Sequence, residues 1–403
     1  MNFPRYPTYK ESGVEWLGQV PKHWAVKRLK HNLNLQTEKT DRRENPVALE
    51  NIEGWTGRFI ATETEFLGEG VAFKAGDILF GKLRPYLAKA YRAEFSGEAV
   101  GDFHVMRPVK DVDSRFAQYQ ILNREFIDIV DGSTFGSKMP RASWEFVSGM
   151  LITTPPQAEQ TQIAAFLDRE TAKIDALVAE QRRLMELLKE KRQAVISHAV
   201  TRGLNTHAPM KPSCIEWLGD VPEHWDVVQF KQFVDIQNGT DHKHVEQVEG
   251  YPVLGSGGVF TYASDFLYDG ESVLLGRKGT IDKPLHIQGR FWTVDTMYWT
   301  KISDKVSGRF TYYLALTIPF DFYSTNTALP SMTKGALNSH RVAFPPRVEQ
   351  IQIAAFLDNE ASKMDALTAA AHHVIDLLKE RRTALISAAV TGQIDIRNLM
   401  ASA

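Results

Sequence analysis

From Ile163 onward, apolar residues recur at alternating steps of four and three: Ile163, Leu167, Ile174, Leu177, Leu184, Leu188 and Val195. Glu170, Gln181 and Lys191 complete the series. The same stepping runs through Ile353, Leu357, Met364, Leu367, Ala371, Val374, Leu378 and Leu385, with Glu360 and Arg381. A 3.5-residue period held this long, with no interior Gly or Pro, predicts two long helices of coiled-coil type. Pro155-Pro156 and Pro345-Pro346 lie just ahead of helices that cannot begin through them, and Gly203 and Gly392 predict the stops. Two readings remain: helices buried in separate cores, or helices packed on each other. A seam matched in both copies favours the pair.

The intervening chain has another rhythm. Residues 72–80, 251–254, 272–275 and 291–300 are β-branched or aromatic runs punctuated by Gly and Pro, which predicts strands. Residues 115–130 and 309–318 predict helices. The expected fold class is therefore α+β: two mixed α/β lobes joined by two long helices packed on each other as a coiled coil.

A tandem repeat underlies this layout. Residues 10–30 return as 211–231, sharing E-W-L-G-x-V-P-x-H-W without a gap. Residues 155–201 return as 345–391, with 28 identities in 47 ungapped positions. Residues 31–154 and 232–344 show no comparable identity, so each half has a common frame and its own middle. Two copies at this spacing are too few and too long for a solenoid.

The chain has 403 residues, 43% hydrophobic and 24% charged, and its formal net charge is -2. These values fit a globular protein and exclude nucleic-acid binding through bulk positive charge, while leaving room for local basic patches. One cysteine, Cys214, excludes a disulfide framework and a cysteine-based zinc site. The N-terminus has no signal-like apolar segment, and the expected setting is the cytoplasm.

Catalytic patterns fail on inspection. Gly76 to Leu83 nearly fits a phosphate loop, but Leu83 stands where a hydroxyl should meet Mg²⁺. Gly255-Ser256-Gly257-Gly258 reads as a hairpin turn rather than a dinucleotide turn. The residues around Pro155-Pro156 and Pro345-Pro346 do not match an amino-methyltransferase motif, and no Glu is followed two residues later by Lys. His23 and His224 read as structural, and Trp16, Trp24, Trp217 and Trp225 as lobe core.

Basic and hydroxyl residues do gather in predicted turns. The first middle offers Lys82 and Arg84, then Ser133, Thr134, Lys138 and Arg141; the second offers Arg277, Lys278 and Thr280, then Ser331 and Lys334. These side chains suit phosphate contacts and hydrogen bonds to base edges, and Arg also suits guanine. Solvated loop charges are the alternative.

The duplicated E-W-L-G-x-V-P-x-H-W, the turn Gly276-Arg277-Lys278-Gly279 followed by Phe291-Trp292-x-x-Asp295-Thr296, and P-P-x-x-E-Q-x-x-I-A-x-F-L-D at residues 155–168 and 345–358 together resemble the DNA-specificity subunit of type I restriction–modification systems. The first middle has Gly81-Lys82-Leu83-Arg84 in place of Gly-Arg-Lys-Gly. The resemblance implies target recognition domains at residues 1–154 and 204–344 (the latter with its linker), helical spacers at 155–203 and 345–393 that pair as an antiparallel coiled coil, and a tail at 394–403. It implies that each lobe reads half of a split, asymmetric site in double-stranded DNA. It further implies that the helices dock DNA methyltransferase subunits, two per chain, and through them restriction/translocase subunits. Arg182, Arg183, Lys189, Arg192, His372, His373, Lys379 and Arg382 are the expected subunit-interface residues. The chain itself is expected to be non-catalytic and free of cofactor, metal and membrane contact, with S-adenosylmethionine, Mg²⁺ and ATP belonging to the partners. A scaffold for two protein ligands and a self-sufficient modification enzyme are the other classes considered.

Overall fold

Strand pairing begins in the repeated block itself. Tyr9–Glu11 pairs with Gln19–Pro21, and Ala25–Arg28 pairs with Leu151–Thr154, closing the first lobe on its own end. Met210–Pro212 pairs with Asp220–Pro222, and Asp226–Gln229 with Arg341–Phe344, closing the second in the same way. The computed structural model describes residues 3–42, 44–62, 69–134, 139–323 and 330–397.

In the first lobe a four-stranded sheet runs Leu33–Gln36, Phe103–Pro108, Ile78–Gly81, Ala90–Arg92. Helices α1 (Ser114–Ile121), α2 (Arg124–Gly132) and α3 (Trp144–Gly149) follow it. The single helix expected over 115–130 is two, because Asn123 caps α2 by accepting from the Glu125 N–H. The strand expected over 72–80 is also two, Gly70–Phe73 and Ile78–Gly81, with the Asp77 carboxylate accepting from the Lys74 N–H in the intervening turn. Helix α4 (Gln157–Arg202) leaves the lobe directly after Pro156, whose carbonyl accepts from the Gln160 N–H.

The second lobe builds a seven-stranded sheet. Its order is Val234–Asn238, Met297–Ile302, Tyr268–Gly276, Leu285–Thr293, Tyr251–Gly255, Gly258–Ala263, Glu246–Gln247. The strand expected over 291–300 divides at a turn around residues 294–296, where Met297 N–H reaches Val294 carbonyl. Helices α5 (Gly308–Ala315), α6 (Phe320–Tyr323) and α7 (Lys334–Ser339) precede α8 (Arg347–Val390).

The chain divides into two compact units, residues 1–181 with 373–403, and residues 182–372. Each unit holds one lobe, the adjoining half of one long helix and the distant half of the other. In the first unit, Ile163, Phe166 and Leu167 of α4 share a core with Leu385, Ile386 and Val390 of α8. In the second, Ile196, Ala199 and Val200 share one with Ile353, Ala354 and Leu357. Early residues of one helix thus meet late residues of the other, which is the expected antiparallel pairing.

The seam's register differs from the expected one. After Ile174 the inward face advances by four, not three, so Leu177 and Leu184 are exposed. In α8 the equivalent Leu367 and Val374 are exposed while Ala371 and Ile375 are buried. Leu187 and Leu377 are exposed as well, giving both copies the same outward apolar stripe.

The repeated motifs meet each other. Glu159 accepts from the buried Trp24 Nε1–H at 2.6 Å and lies 2.7 Å from His23 Nε2; Glu349 meets Trp225 Nε1 at 3.0 Å and His224 Nε2 at 2.9 Å. Gln160 accepts from the Asp113 N–H ahead of α1 and donates to the Pro155 carbonyl; Gln350 does the same with Ser307 and Pro345. Asp168 binds Tyr119 and Arg115, as Asp358 binds Tyr313 and Arg309. Burial pushes Asp358 upward, but the Arg309 and Tyr313 hydrogen bonds outweigh it and leave the carboxyl below its usual range. Arg-Phe-x-x-Tyr at 115–119 and 309–313 is therefore a further repeated motif, too short and too isolated to register as one in the sequence.

Both helices stop at glycine, with Gly203 at φ +75° and Gly392 at φ +78°. A Cβ on Gly392 would lie 2.4 Å from Pro21 Cδ and 2.9 Å from Trp24 Cζ3, whereas on Gly203 the nearest atom, Trp225 Cζ2, is at 3.1 Å. Gly392→Ala is expected to cost about 2 kcal/mol by thermal unfolding, from backbone strain and crowding together. Gly203→Ala should cost less. Equal losses would contradict the difference in packing.

Candidate nucleic-acid interface

The basic turns of the two middles are built on one backbone design. In the first lobe the chain leaves Ile78–Gly81 at Lys82, whose N–H donates to the Asp102 carbonyl at 2.8 Å and whose carbonyl accepts from Ala142 at 2.9 Å. Leu83 bridges Arg141, and Arg84 N–H donates to the Pro140 carbonyl at 2.9 Å. In the second lobe, Arg277 follows Tyr268–Gly276. Its N–H reaches the Thr296 carbonyl at 2.9 Å and its own carbonyl accepts from Met332 at 2.9 Å. Lys278 bridges Ser331, and Gly279 donates to the Pro330 carbonyl at 2.9 Å. Each clamp then enters a helix capped by a hydroxyl, Ser143 for α3 and Thr333 for α7.

The clamps join what the sequence separates by more than fifty residues, while the side chains on them differ. In the first, Asp102 lies 3.0 Å from Arg141 Nη2 and 3.9 Å from Lys82 Nζ, one carboxylate holding two cations. His104 sits behind them, buried, with Nε2 3.0 Å from the Ala142 carbonyl; burial lowers its pKa, opposed by that carbonyl and aided by nearby Lys82. In the second, Arg277 donates to the Asp295 carbonyl at 3.3 Å and its guanidinium lies 5.8 Å from the Tyr298 ring centre. Tyr298 in turn donates to the Met332 carbonyl. Lys278 and Thr280 are exposed beside it, and Lys334 lies 4.0 Å from Asp235.

Other expected site residues stand differently. The Ser133 and Thr134 hydroxyls donate to the Val130 and Asp131 carbonyls and finish α2, so their hydrogens are already used within the chain. Lys138 lies outside the described residues. On the long helices, Arg182, Arg183, Lys189, His372, His373 and Lys379 are exposed. Arg192 makes a two-pronged pair with Asp365 at 2.7 and 3.0 Å, pinning α4 to α8 within the second unit. Arg382 turns inward: only 7% exposed, it meets Asp175 at 3.2 Å and donates to the Trp55 carbonyl at 2.7 Å. The helical repeat alone gave no sign that a loop of the first lobe would cover this position. Trp24 and Trp225 are lobe core as expected, whereas Trp217 is 46% exposed and stacked on His340.

Among the described residues, no group of three or more His, Cys, Asp or Glu is placed to hold a metal ion, and no helix is long and apolar enough to cross a membrane. What the arrangement offers is donors and positive charge on rigid, strand-anchored turns.

Fold and site together define a class: a protein of two mixed α/β lobes linked by two long helices, each lobe carrying a cationic turn clamped by the same backbone bonds. Residues 222–373 match the family model of the type I restriction modification DNA specificity domain. The chain is 24% identical over 269 residues to the type I restriction enzyme MjaVIII specificity subunit of Methanocaldococcus jannaschii, covering 60% of this chain and 56% of that one. It is 24% identical over 193 residues to the EcoDI specificity subunit of Escherichia coli, covering 45% and 43%. The matches thus span about half the length of these relatives. The fold is shared with a chain from a structure titled for complex assembly and conformational transition of the type I R-M system (TM-score 0.75, 17% identity, 92% and 98% covered). It is shared more loosely with the HsdS subunit from Thermoanaerobacter tengcongensis (TM-score 0.53, 17% identity, 93% and 98% covered). Residues 222–373 thus resemble the type I restriction modification DNA specificity domain, and the fold is shared over nearly the whole chain.

Proposed function

We propose that this chain is the sequence-specific DNA-binding subunit of a type I restriction–modification complex and performs no catalysis of its own. Each lobe reads one half of an asymmetric, split site in double-stranded DNA. The observation that carries this reading is the pair of clamps, alike in backbone and unlike in side chains. One scaffold presenting two different sets of donors suits two different half-sites.

The long helices serve the partners. The outward stripe of Leu177, Leu184 and Leu187 on α4, with Leu367, Val374 and Leu377 on α8, is apolar surface in the same place in both copies. It supports docking of two DNA methyltransferase subunits, beside the exposed Arg182, Arg183, Lys189, His372, His373 and Lys379. Restriction/translocase subunits join through them, S-adenosylmethionine, Mg²⁺ and ATP belong to those partners, and the complex works in the cytoplasm. Since the chain's formal charge is -2, much of the phosphate contact falls to the partners.

The test is co-expression with the cognate methyltransferase subunit and mapping of methylated bases across a genome. The expected motif is two unlike half-sites around an unread gap. Arg277→Ala should weaken recognition of one half by roughly tenfold and leave the other unchanged. Equal loss on both halves, or copurification with no methyltransferase, would count against the proposal.

A further inference from the structure

Because the two clamps match bond for bond, residues at the same place in each can be compared directly. In the second lobe the residue that donates to the proline carbonyl is Gly279, at φ +79°. In the first lobe it is Arg84, at φ +50°. A left-handed backbone is uncommon for a residue with a Cβ, and the following Pro85 restricts Arg84 further. The first lobe thus keeps a large side chain where its sister uses glycine.

That side chain does nothing for the fold. Arg84 is exposed, and its guanidinium has no hydrogen bond or ion pair among the described residues. Its neighbours are engaged: Lys82 and Arg141 share the Asp102 carboxylate. The backbone bond to Pro140 would be made equally well by glycine, so a large side chain kept on a left-handed backbone without an internal partner points to an external one. In the second lobe the exposed cation is Lys278, one residue earlier, where the first lobe has Leu83. A lysine there offers a point charge, whereas an arginine offers a planar fork.

Resting on the DNA-reading function above, we propose that Arg84 is the specificity-determining residue of the first lobe. It reads a guanine through O6 and N7 in the major groove, from a position where the second lobe has Gly279 and no side chain. Lys82 and Arg141, tied by Asp102, are positioning residues that fix the turn from which Arg84 projects.

The experiment uses the full chain in complex with its methyltransferase partner and compares wild type with Arg84→Gly and Arg84→Lys. Glycine suits the left-handed backbone, so the unfolding midpoint of Arg84→Gly should equal or exceed that of wild type. Its methylation map should lose discrimination at one guanine of one half-site by roughly tenfold, the other half staying intact. Arg84→Lys keeps the charge without the fork and should relax the same position. An unchanged motif in Arg84→Gly, or uniform weakening with the motif preserved, would overturn the proposal. A wild-type complex that methylates no split motif would instead remove the function on which it rests.

Discussion

Glu159→Ala is expected to destabilise the first unit by about 3–5 kcal/mol, the summed effect of losing charge-assisted hydrogen bonds and stranding a buried donor. The carboxylate accepts from Trp24 Nε1 at 2.6 Å and lies 2.7 Å from His23 Nε2, with Tyr6 Oη more distant at 3.4 Å. Trp24 has no exposed surface, so its N–H would have no water to turn to. For a unit of this size, calorimetry should record a fall of roughly 10 °C in the unfolding midpoint. Glu159→Gln keeps one carbonyl acceptor and should lose clearly less. Glu349→Ala repeats the experiment in the second unit, where both contacts are longer, at 2.9 and 3.0 Å, and the loss should be smaller. A change under ~1 kcal/mol in Glu159→Ala would show that the glutamate does not join the repeated motifs energetically.

Acid should loosen the second unit before the depressed carboxyl of Asp358 begins to protonate. His340 is 2% exposed, and burial pushes its pKa from 6.5 down to about 4. Between those values the unfolded chain binds a proton that the folded chain refuses, so stability is complete above pH 6.5 and falls as pH drops towards 4. The loss is about 3 kcal/mol at ~1.4 kcal/mol per pKa unit. The depressed carboxylates Asp113, Asp358 and Asp395 act in a lower window, since their contribution goes only as pH falls through folded pKa values below 3.8. Unfolding midpoints at pH 7, 5.5 and 4.5 should therefore slope downward in wild type and flatten in His340→Gln. The same slope in both proteins would exclude His340 as the cause.

How much of this was legible in the sequence depended on whether identity or geometry carried the information. The motif around His23-Trp24 and the one around Glu159-Gln160 repeat as strings, so the frame could be read, although their union could not. The helices were legible through their period, but the inward face turned at Ile174, where a step of three or of four both land on an apolar residue, Leu177 or Val178. Arg382 looked like a surface cation because burial by a loop near Trp55 leaves no periodic trace. The clamps were hidden most deeply. Gly81-Lys82-Leu83-Arg84 and Gly276-Arg277-Lys278-Gly279 share little beyond glycine and charge, and their likeness resides in main-chain bonds that side-chain identity does not encode.

The first unit draws its last pieces from beyond the second, from residue 373 onward. The Thr153 hydroxyl donates to the Val390 carbonyl, and Ile394 and Ile396 are buried in the core that contains Tyr6 and Trp24. On the ribosome the N-terminal lobe therefore emerges early but waits through the synthesis of more than two hundred further residues for its closing segment. The second unit, contiguous over residues 182–372, waits for nothing outside itself. Order of manufacture and order of completion are thus reversed, and a chain cut short just after residue 372 would leave the first-made domain open and the later one whole.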